Sequence, residues 1–471
     1  MKTYIEECSI LRGFIDYEGS KSPFFYDCEK SILYIIPSSV EKLKENKQEM
    51  YNEFAKSFIK ENDNEWIPNN YINGYTEYDT GIIFQTRGEK NNINGFIQYK
   101  VNSVFEYNYG KKEFDGISGL LFESPELNCF YDASSIYKHK KDKDGKRIVV
   151  ESEFRESKEI ASFMYEDIQV KVDIKIDRIF CHRAENPLQA KTKLMFTFSK
   201  KIKEMSKILE IIMIQNKFMQ FITYRRNVKF EKVRTLDINE DKKKETKGII
   251  IYNELTDNEV ETNKNKRQRI IKLLYIEGVI SKIYELIVNG DIYFSHLCKN
   301  ISALSSYNIM RVSRIFAEFE RTYKQVYGEN IRSKEYSDTK DEIANELNKI
   351  KENQTGQKRR YYKEIIRGIE KSSIGLGQKI EYALQDCSTI MDKVINIYYQ
   401  KHEKIENISD RLGMLRNDMI HGEMQYKLKP IDLTDINILE ILIYVVLFKF
   451  IDLTDKNIQS CINDIFRMHI Q

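Results

Sequence analysis

Between residues 168 and 176 apolar and polar positions alternate strictly. Ile168, Val170, Val172, Ile174 and Ile176 are separated by Gln169, Lys171, Asp173 and Lys175. A strand sends successive side chains to opposite faces, so this period of two predicts a strand with one buried face. Leu194, Phe196 and Phe198 repeat the pattern. Residues 78–86, 95–107 and 147–154 are further runs of aromatic and β-branched residues, which favour strands. Residues 138–146 are rich in Lys, Asp and Gly, as an exposed loop would be. An antiparallel sheet or sandwich is the expectation for the first 200 residues. A helix is expected over 199–222, where Ile202, Met205, Leu209 and Ile212 make an apolar stripe. Strands at 228–236 and 248–252, joined by a charged connection at 237–247, complete this part.

From about residue 265 the period changes. Val312, Phe316, Phe319, Tyr323 and Val326 step by three and four. So do Ile380, Leu384, Cys387, Met391, Val394 and Tyr398, then Ile408, Leu412, Leu415 and Met419, then Ile436, Leu439, Ile443, Val446 and Phe450. Each set lines one face of a helix, and four such seams describe a four-helix bundle. Breaks are expected at 372–377 and 422–430, where Gly and Pro interrupt the pattern. Residues 334–371 read as a polar helical insertion, folded back on itself at Thr355 and Gly356. The expected fold class is α+β, with a β-rich domain over 1–255 and an all-α domain over 266–471. No internal repeat is present.

Composition narrows the classes. The chain has 471 residues, 41% of them hydrophobic, enough for packed cores. Net charge is +3, which excludes a polycation but leaves room for a local basic patch. Seven Cys are scattered without CxxC spacing, as in a reducing compartment. The N-terminus lacks a signal-peptide core, and the uninterrupted apolar run 441–448 is too short to span a bilayer. The expectation is a soluble, cytoplasmic protein without membrane contact.

One segment carries candidate chemistry. The third bundle helix reads DRLGMLRNDMIHG from Asp410 to Gly422. At 100° per residue, Asp410, Met414, Asn417 and His421 fall within about 60° of one another, opposite the apolar seam. Asn417 and His421 are four apart, so the amide can orient the imidazole. Arg416 lies roughly 140° round from His421, yet a guanidinium is long enough to reach a shared phosphate. Gly422 suits a helix C-cap, and the negative end of a helix favours imidazolium. An imidazole that moves protons near neutrality, beside an Arg that stabilises charge on phosphorus, suits phosphodiester chemistry.

Arg416, Asn417 and His421 match the R-N-x-x-x-H motif of HEPN-domain ribonucleases. The context LRNDMIHG most resembles the ApeA-like branch, a bacterial anti-phage abortive-infection family. FAEFERTYKQVY at 316–327 resembles that branch's first bundle helix, with Glu320 at the acidic position, and Arg12-Gly13-Phe14 echoes its opening. The resemblance covers about 303–330 and 375–470. It implies a HEPN bundle and metal-independent RNA cleavage with no cofactor. The ribose 2′-OH would attack the adjacent phosphate, leaving a 2′,3′-cyclic phosphate and a 5′-OH. It further implies a homodimer or dimer of dimers that pairs two motifs, host RNA (tRNA among it) as substrate, and a phage-derived protein as a candidate trigger. A HEPN-like module that binds RNA or protein without cutting is the rival reading.

Weaker signals surround the motif. Asp410 is a candidate supporting residue. Arg411, Lys427 and Lys429 flank the motif and are candidate RNA contacts; Lys358, Arg359 and Arg360, beside Tyr361 and Tyr362, form a basic-aromatic cluster of the same kind. A solvated surface is the plainer reading of each. Cys181-His182 and His296/Cys298 lack a second pair at zinc spacing and read as structural, so no metal site is expected. His139, His402 and His469 read as exposed. No HExxH, Walker A or GxGxxG-helix motif is present.

Overall fold

In the N-terminal region β1 (Ile10–Tyr17), β2 (Ser20–Asp27), β3 (Ile32–Ile35), β4 (Asn70–Thr76), β5 (Gly81–Ile93) and β6 (Phe96–Tyr107) pair antiparallel in the order β6-β3-β2-β1-β4-β5. β5 then pairs back onto β6, so the ring closes into a barrel. The computed structural model describes residues 3–37, 70–93, 96–108, 113–132, 137–141, 148–152, 157–180, 188–238, 244–252, 261–262, 264–328, 334–371, 375–399, 404–421 and 427–470.

Alternation fills the barrel. Leu11, Ile15, Phe24, Tyr26, Leu33, Ile35, Ile82, Phe84, Ile97 and Val101 are all buried in one cluster. The β1–β2 hairpin turns at Glu18 and Gly19, both with positive φ, the backbone that a two-residue turn between twisted strands requires. Glu106 lies fully buried in β6, where its carboxylate accepts the backbone N–H groups of Tyr4 and Ile5 and the Thr80 hydroxyl.

Beyond the barrel come β7 (Ile117–Glu123), the short helix α1 (Pro125–Phe130), the hairpin β8 (Tyr137–Lys141) and β9 (Ile148–Ser152), then β10 (Lys158–Tyr165), β11 (Ile168–Phe180), β12 (Leu188–Ile202), helix α2 (Met205–Thr223), β13 (Lys232–Ile238) and β14 (Lys244–Tyr252). The sheet runs on from β6 through β14, β13, β7, β12 and β11 to β10. β6 makes this possible. Along one edge it bonds β3 at Ile97–Lys100 and β14 at Ser103–Tyr107, while β5 takes the other edge.

The expected sheet or sandwich is therefore a closed barrel with an open extension. Period two reports which face is buried but not which strand lies alongside. Three further expectations shift. Residues 199–202 extend β12 rather than starting a helix; 138–141 form strand β8; and 237–247 is strand at both ends, its middle outside the described residues.

The chain divides into two compact units. One is Met1–Gln220 with Asn227–Gln268; the other is Phe221–Arg226 with Arg269–Gln471. The second holds α3 (Leu273–Ile276), α4 (Ile280–Asn289), α5 (Ile309–Tyr327), α6 (Lys334–Glu352), α7 (Gly356–Lys371), α8 (Leu376–Asp386), α9 (Ser388–Tyr399), α10 (Ile405–His421), α11 (Pro430–Phe450) and α12 (Asp455–Phe466). α11 is buried nearly all round from Ile438 to Phe448, the signature of a central helix. α5 packs on α11, and α8 packs on α10, which also touches α5 and α11. Phe221–Arg226 belongs here because Phe221 stacks on Tyr444 (5.2 Å between ring centres) and the Tyr444 hydroxyl donates to its carbonyl.

The four predicted seams are buried except at their last positions, Val326, Tyr398, Met419 and Phe450, which emerge toward solvent. The second seam is split between α8 and α9 at Cys387, but Ile380, Leu384, Cys387, Met391 and Val394 stay on the buried side. The insertion is the helix pair α6 and α7, broken near Thr355 and Gly356 as expected. No helix among the described residues is long and apolar enough to cross a membrane.

Candidate active site on helix α10

Helix α10 carries the motif. Its seam is buried at Ile408, Leu412 and Leu415. Its opposite side shows Asp410, Met414, Asn417 and Asp418 to solvent, with Met414 64% exposed. Glycine inside a helix costs about 1 kcal/mol relative to Ala. Here it permits a close crossing: a Cβ on Gly413 would meet the backbone of Gly377 in α8 at 3.4 Å. That crossing fixes α10 against its neighbour, one turn before Arg416.

Arg416 and Glu320 come together. The Arg416 Nη2 lies 3.7 Å from Glu320 Oε1 on α5, and both side chains are about one-third exposed. The separation exceeds hydrogen-bond length, and water screens the pair, so it is worth less than about 1 kcal/mol. The guanidinium is thus held weakly by Glu320, at small cost to its release. At 3.7 Å the carboxylate does not engage the guanidinium fork, which is left to pair with two oxygens of another anion.

Arg411 behaves differently. Its Nε and Nη2 donate to Asp435 Oδ2 and Oδ1 at 2.7 and 3.0 Å, and Tyr399 donates to the same Oδ1 at 2.5 Å. Asp435 is 1% exposed. Arg411 therefore ties α10 to α11, and its donors along that fork are already engaged. Lys427 is exposed, and Lys429 is exposed with its backbone N–H on Asp432. Lys358, Arg359 and Arg360 are exposed on α7, where Arg360 Nε reaches Glu364 at 3.3 Å.

His421 is the last residue of α10. Its side chain lies outside the described residues, as do residues 422–426 and with them the expected C-cap. The Asn417–His421 contact is likewise outside them. Cys181, His182 and His402 also fall outside, as does the side chain of His139; His469 is exposed. His296 and Cys298 are buried, and among the described residues no three His, Cys, Asp or Glu side chains group to hold a metal.

Sequence reasoning missed the buried charges that shape this unit. Arg311 donates to Glu440 at 2.8 Å and to the carbonyls of Ala303, Leu304 and Ser306, while Tyr307 donates to the other Glu440 oxygen at 2.5 Å. His296 Nδ1 stands 3.7 Å from Glu318 Oε2, both buried. Glu318 lies 22 positions from His296, and Glu440 lies 129 from Arg311 and 133 from Tyr307, so no local pattern records these pairs. The one available hint was a charged residue within an apolar helix, as Glu440 is in α11.

No family model, curated protein or solved structure matches the chain. The functional reading rests on the residues themselves.

Proposed function

We propose that the chain is a metal-independent endoribonuclease of the HEPN type, serving anti-phage abortive infection by cutting host RNA, tRNA among it. The observation that carries this reading is the loosely held Arg416 at 3.7 Å from Glu320, beside an exposed Asn417 and one turn before His421. An Arg kept solely for structure would be expected to look like Arg411, gripped by a buried carboxylate.

In the proposed reaction the ribose 2′ oxygen attacks the adjacent phosphorus, and the bond from phosphorus to the 5′ oxygen breaks. The 2′-OH loses a proton to a base, and the leaving 5′ oxygen gains one from an acid. His421 serves one of these roles, and a second copy of the motif, brought by a dimer, serves the other. Arg416 offsets the added negative charge on the phosphorane. Asn417 orients the imidazole, and Glu320 positions Arg416 before substrate arrives. The N-terminal unit would restrain the nuclease until a phage-derived protein releases it.

A second reading is a module that dimerises and binds RNA or protein without cutting. Met414 favours it: an exposed thioether in mid-stripe suits a contact surface. Replacement of His421 by Ala separates the two. Loss of RNA cleavage, with folding and self-association intact, supports the nuclease. Cleavage that survives the change, or that requires a divalent metal, rules it out.

A further inference from the structure

The barrel unit carries a feature unrelated to the candidate nuclease. An open cleft of about 530 Å³ lies where β4 and the end of β6 meet the segment entering α2. This size suits a small molecule or one long side chain. Its walls are aromatic: Tyr71 and Tyr75 on β4, Tyr107 at the end of β6, and Phe114 just beyond it.

The inner rings, Tyr107 and Phe114, are held in place. Tyr107 is 4% exposed, and its ring centre lies 5.2 Å from that of Phe114 and 5.2 Å from that of Phe105. Gly81 leaves the space that the Tyr107 ring occupies, since a Cβ there would stand 2.2 Å from a ring carbon. Burial, with Tyr75 and Glu113 nearby, pushes the Tyr107 hydroxyl up to about 12. The ring is therefore a neutral wall across the physiological range.

The charge of the cleft has one dominant sign. Asp16, Glu113 and Glu204 line it, against Lys203 alone. Glu204 shares Lys207 at 3.6 Å. The carboxylates of Asp16 and Glu113 have no ion-pair or hydrogen-bond partner among the described residues. An anion would meet these carboxylates and the electron-rich π-systems of the lining rings. A cation is attracted by both.

We propose that this cleft binds an organic cation, an alkylammonium or guanidinium group, between the aromatic walls and the Asp16 and Glu113 carboxylates. The group could arrive on a free amine or on a basic side chain of a peptide. The shared chemistry is the same, and the test distinguishes the sources.

The experiment is calorimetric titration of the full-length chain with choline and spermidine, with the capped peptides Ac-Gly-Lys-Gly-NH2 and Ac-Gly-Arg-Gly-NH2, and with acetate as an anionic control. The expected result is saturable binding of at least one cation and none of acetate. Tighter binding of the free amines identifies a small-molecule source; tighter binding of the peptides identifies a side chain. Tyr71→Ala and Glu113→Gln should each weaken binding about fivefold, and Glu113→Gln, at an exposed position, should leave the melting temperature unchanged. His421→Ala should leave it unaltered, which separates this site from the nuclease reading. Absence of saturable cation binding, or binding that neither cleft variant weakens, would overturn the proposal.

Discussion

Arg411 and Asp435 form a two-point pair, 2.7 Å from Nε to Oδ2 and 3.0 Å from Nη2 to Oδ1, joining the motif helix α10 to the central helix α11. From the sequence Arg411 reads as a candidate RNA contact. The pair gives it a structural task, and the task can be measured.

Removing one partner strands a buried charge. Asp435 is 1% exposed, so Arg411→Ala should destabilise the protein by about 2–4 kcal/mol, read as a lower urea midpoint at unchanged slope. Lys358→Ala, at an exposed site on α7, should shift the midpoint by less than about 0.5 kcal/mol. Equal, small effects from both would place Arg411 back on the surface.

Two glycines of the helical unit, Gly413 and Gly368, make opposite predictions. A Cβ on Gly413 would stand 3.4 Å from the Gly377 backbone, so Gly413→Leu should push α8 from α10 and cost about 2–3 kcal/mol. Gly368, inside α7, has nothing within 4 Å of an added methyl, so Gly368→Ala should stabilise by about 0.5–1 kcal/mol through helix propensity. Thermal melts of both variants provide the check.

Much of this architecture was legible beforehand. The seams 312–326 and 408–419 are buried because a period of 3.6 turns one apolar face inward, whereas around the seam 436–450 α11 is apolar and buried nearly all round. Strand β11 follows from strict alternation at 168–176. Barrel closure was not legible, because it depends on β5 pairing back onto β6, nor was the extension, which depends on a twelve-residue β6 serving two partners along one edge. The candidate site was legible as a spacing, and Glu320 was placed by resemblance. The opposite fates of Arg411 and Arg416 were not legible. They depend on Asp435 being buried and Glu320 one-third exposed, which no local pattern records.

Acid should weaken the barrel unit through Asp237. Burial raises its carboxyl, but Lys201 at 3.0 Å, Ser118 at 2.9 Å and its own neighbour's N–H lower it further, to a value below the usual 3.8. A carboxyl depressed by folding stabilises the native state above its unfolded pKa. That contribution is lost as pH falls through the lower folded value, so the window opens below about pH 4. Denaturation midpoints across that window should fall less steeply in Asp237→Asn than in the parent. Parallel curves would refute the assignment.

Thiol reactivity gives an independent check on the helical core. Burial pushes the Cys298 thiol up to about 12 and the Cys387 thiol up to about 11, and raises Cys461 as well. The thiolate is the reactive form, so at about pH 8 iodoacetamide should leave all three unmodified until urea unfolds the chain. Mass spectrometry of the modified peptides reads the outcome directly.

The central claim concerns Arg416 and His421, and cleavage of RNA by the full-length chain tests it most directly. Purified protein is incubated with total RNA in EDTA, and the new ends are mapped for the parent, His421→Ala, Arg416→Ala and Glu320→Gln. The account predicts 2′,3′-cyclic phosphate and 5′-OH ends from the parent. It predicts at least about a hundredfold loss in His421→Ala and Arg416→Ala, and a loss below about fivefold in Glu320→Gln. Cleavage undiminished in His421→Ala, or seen only when a divalent metal is supplied, would contradict it.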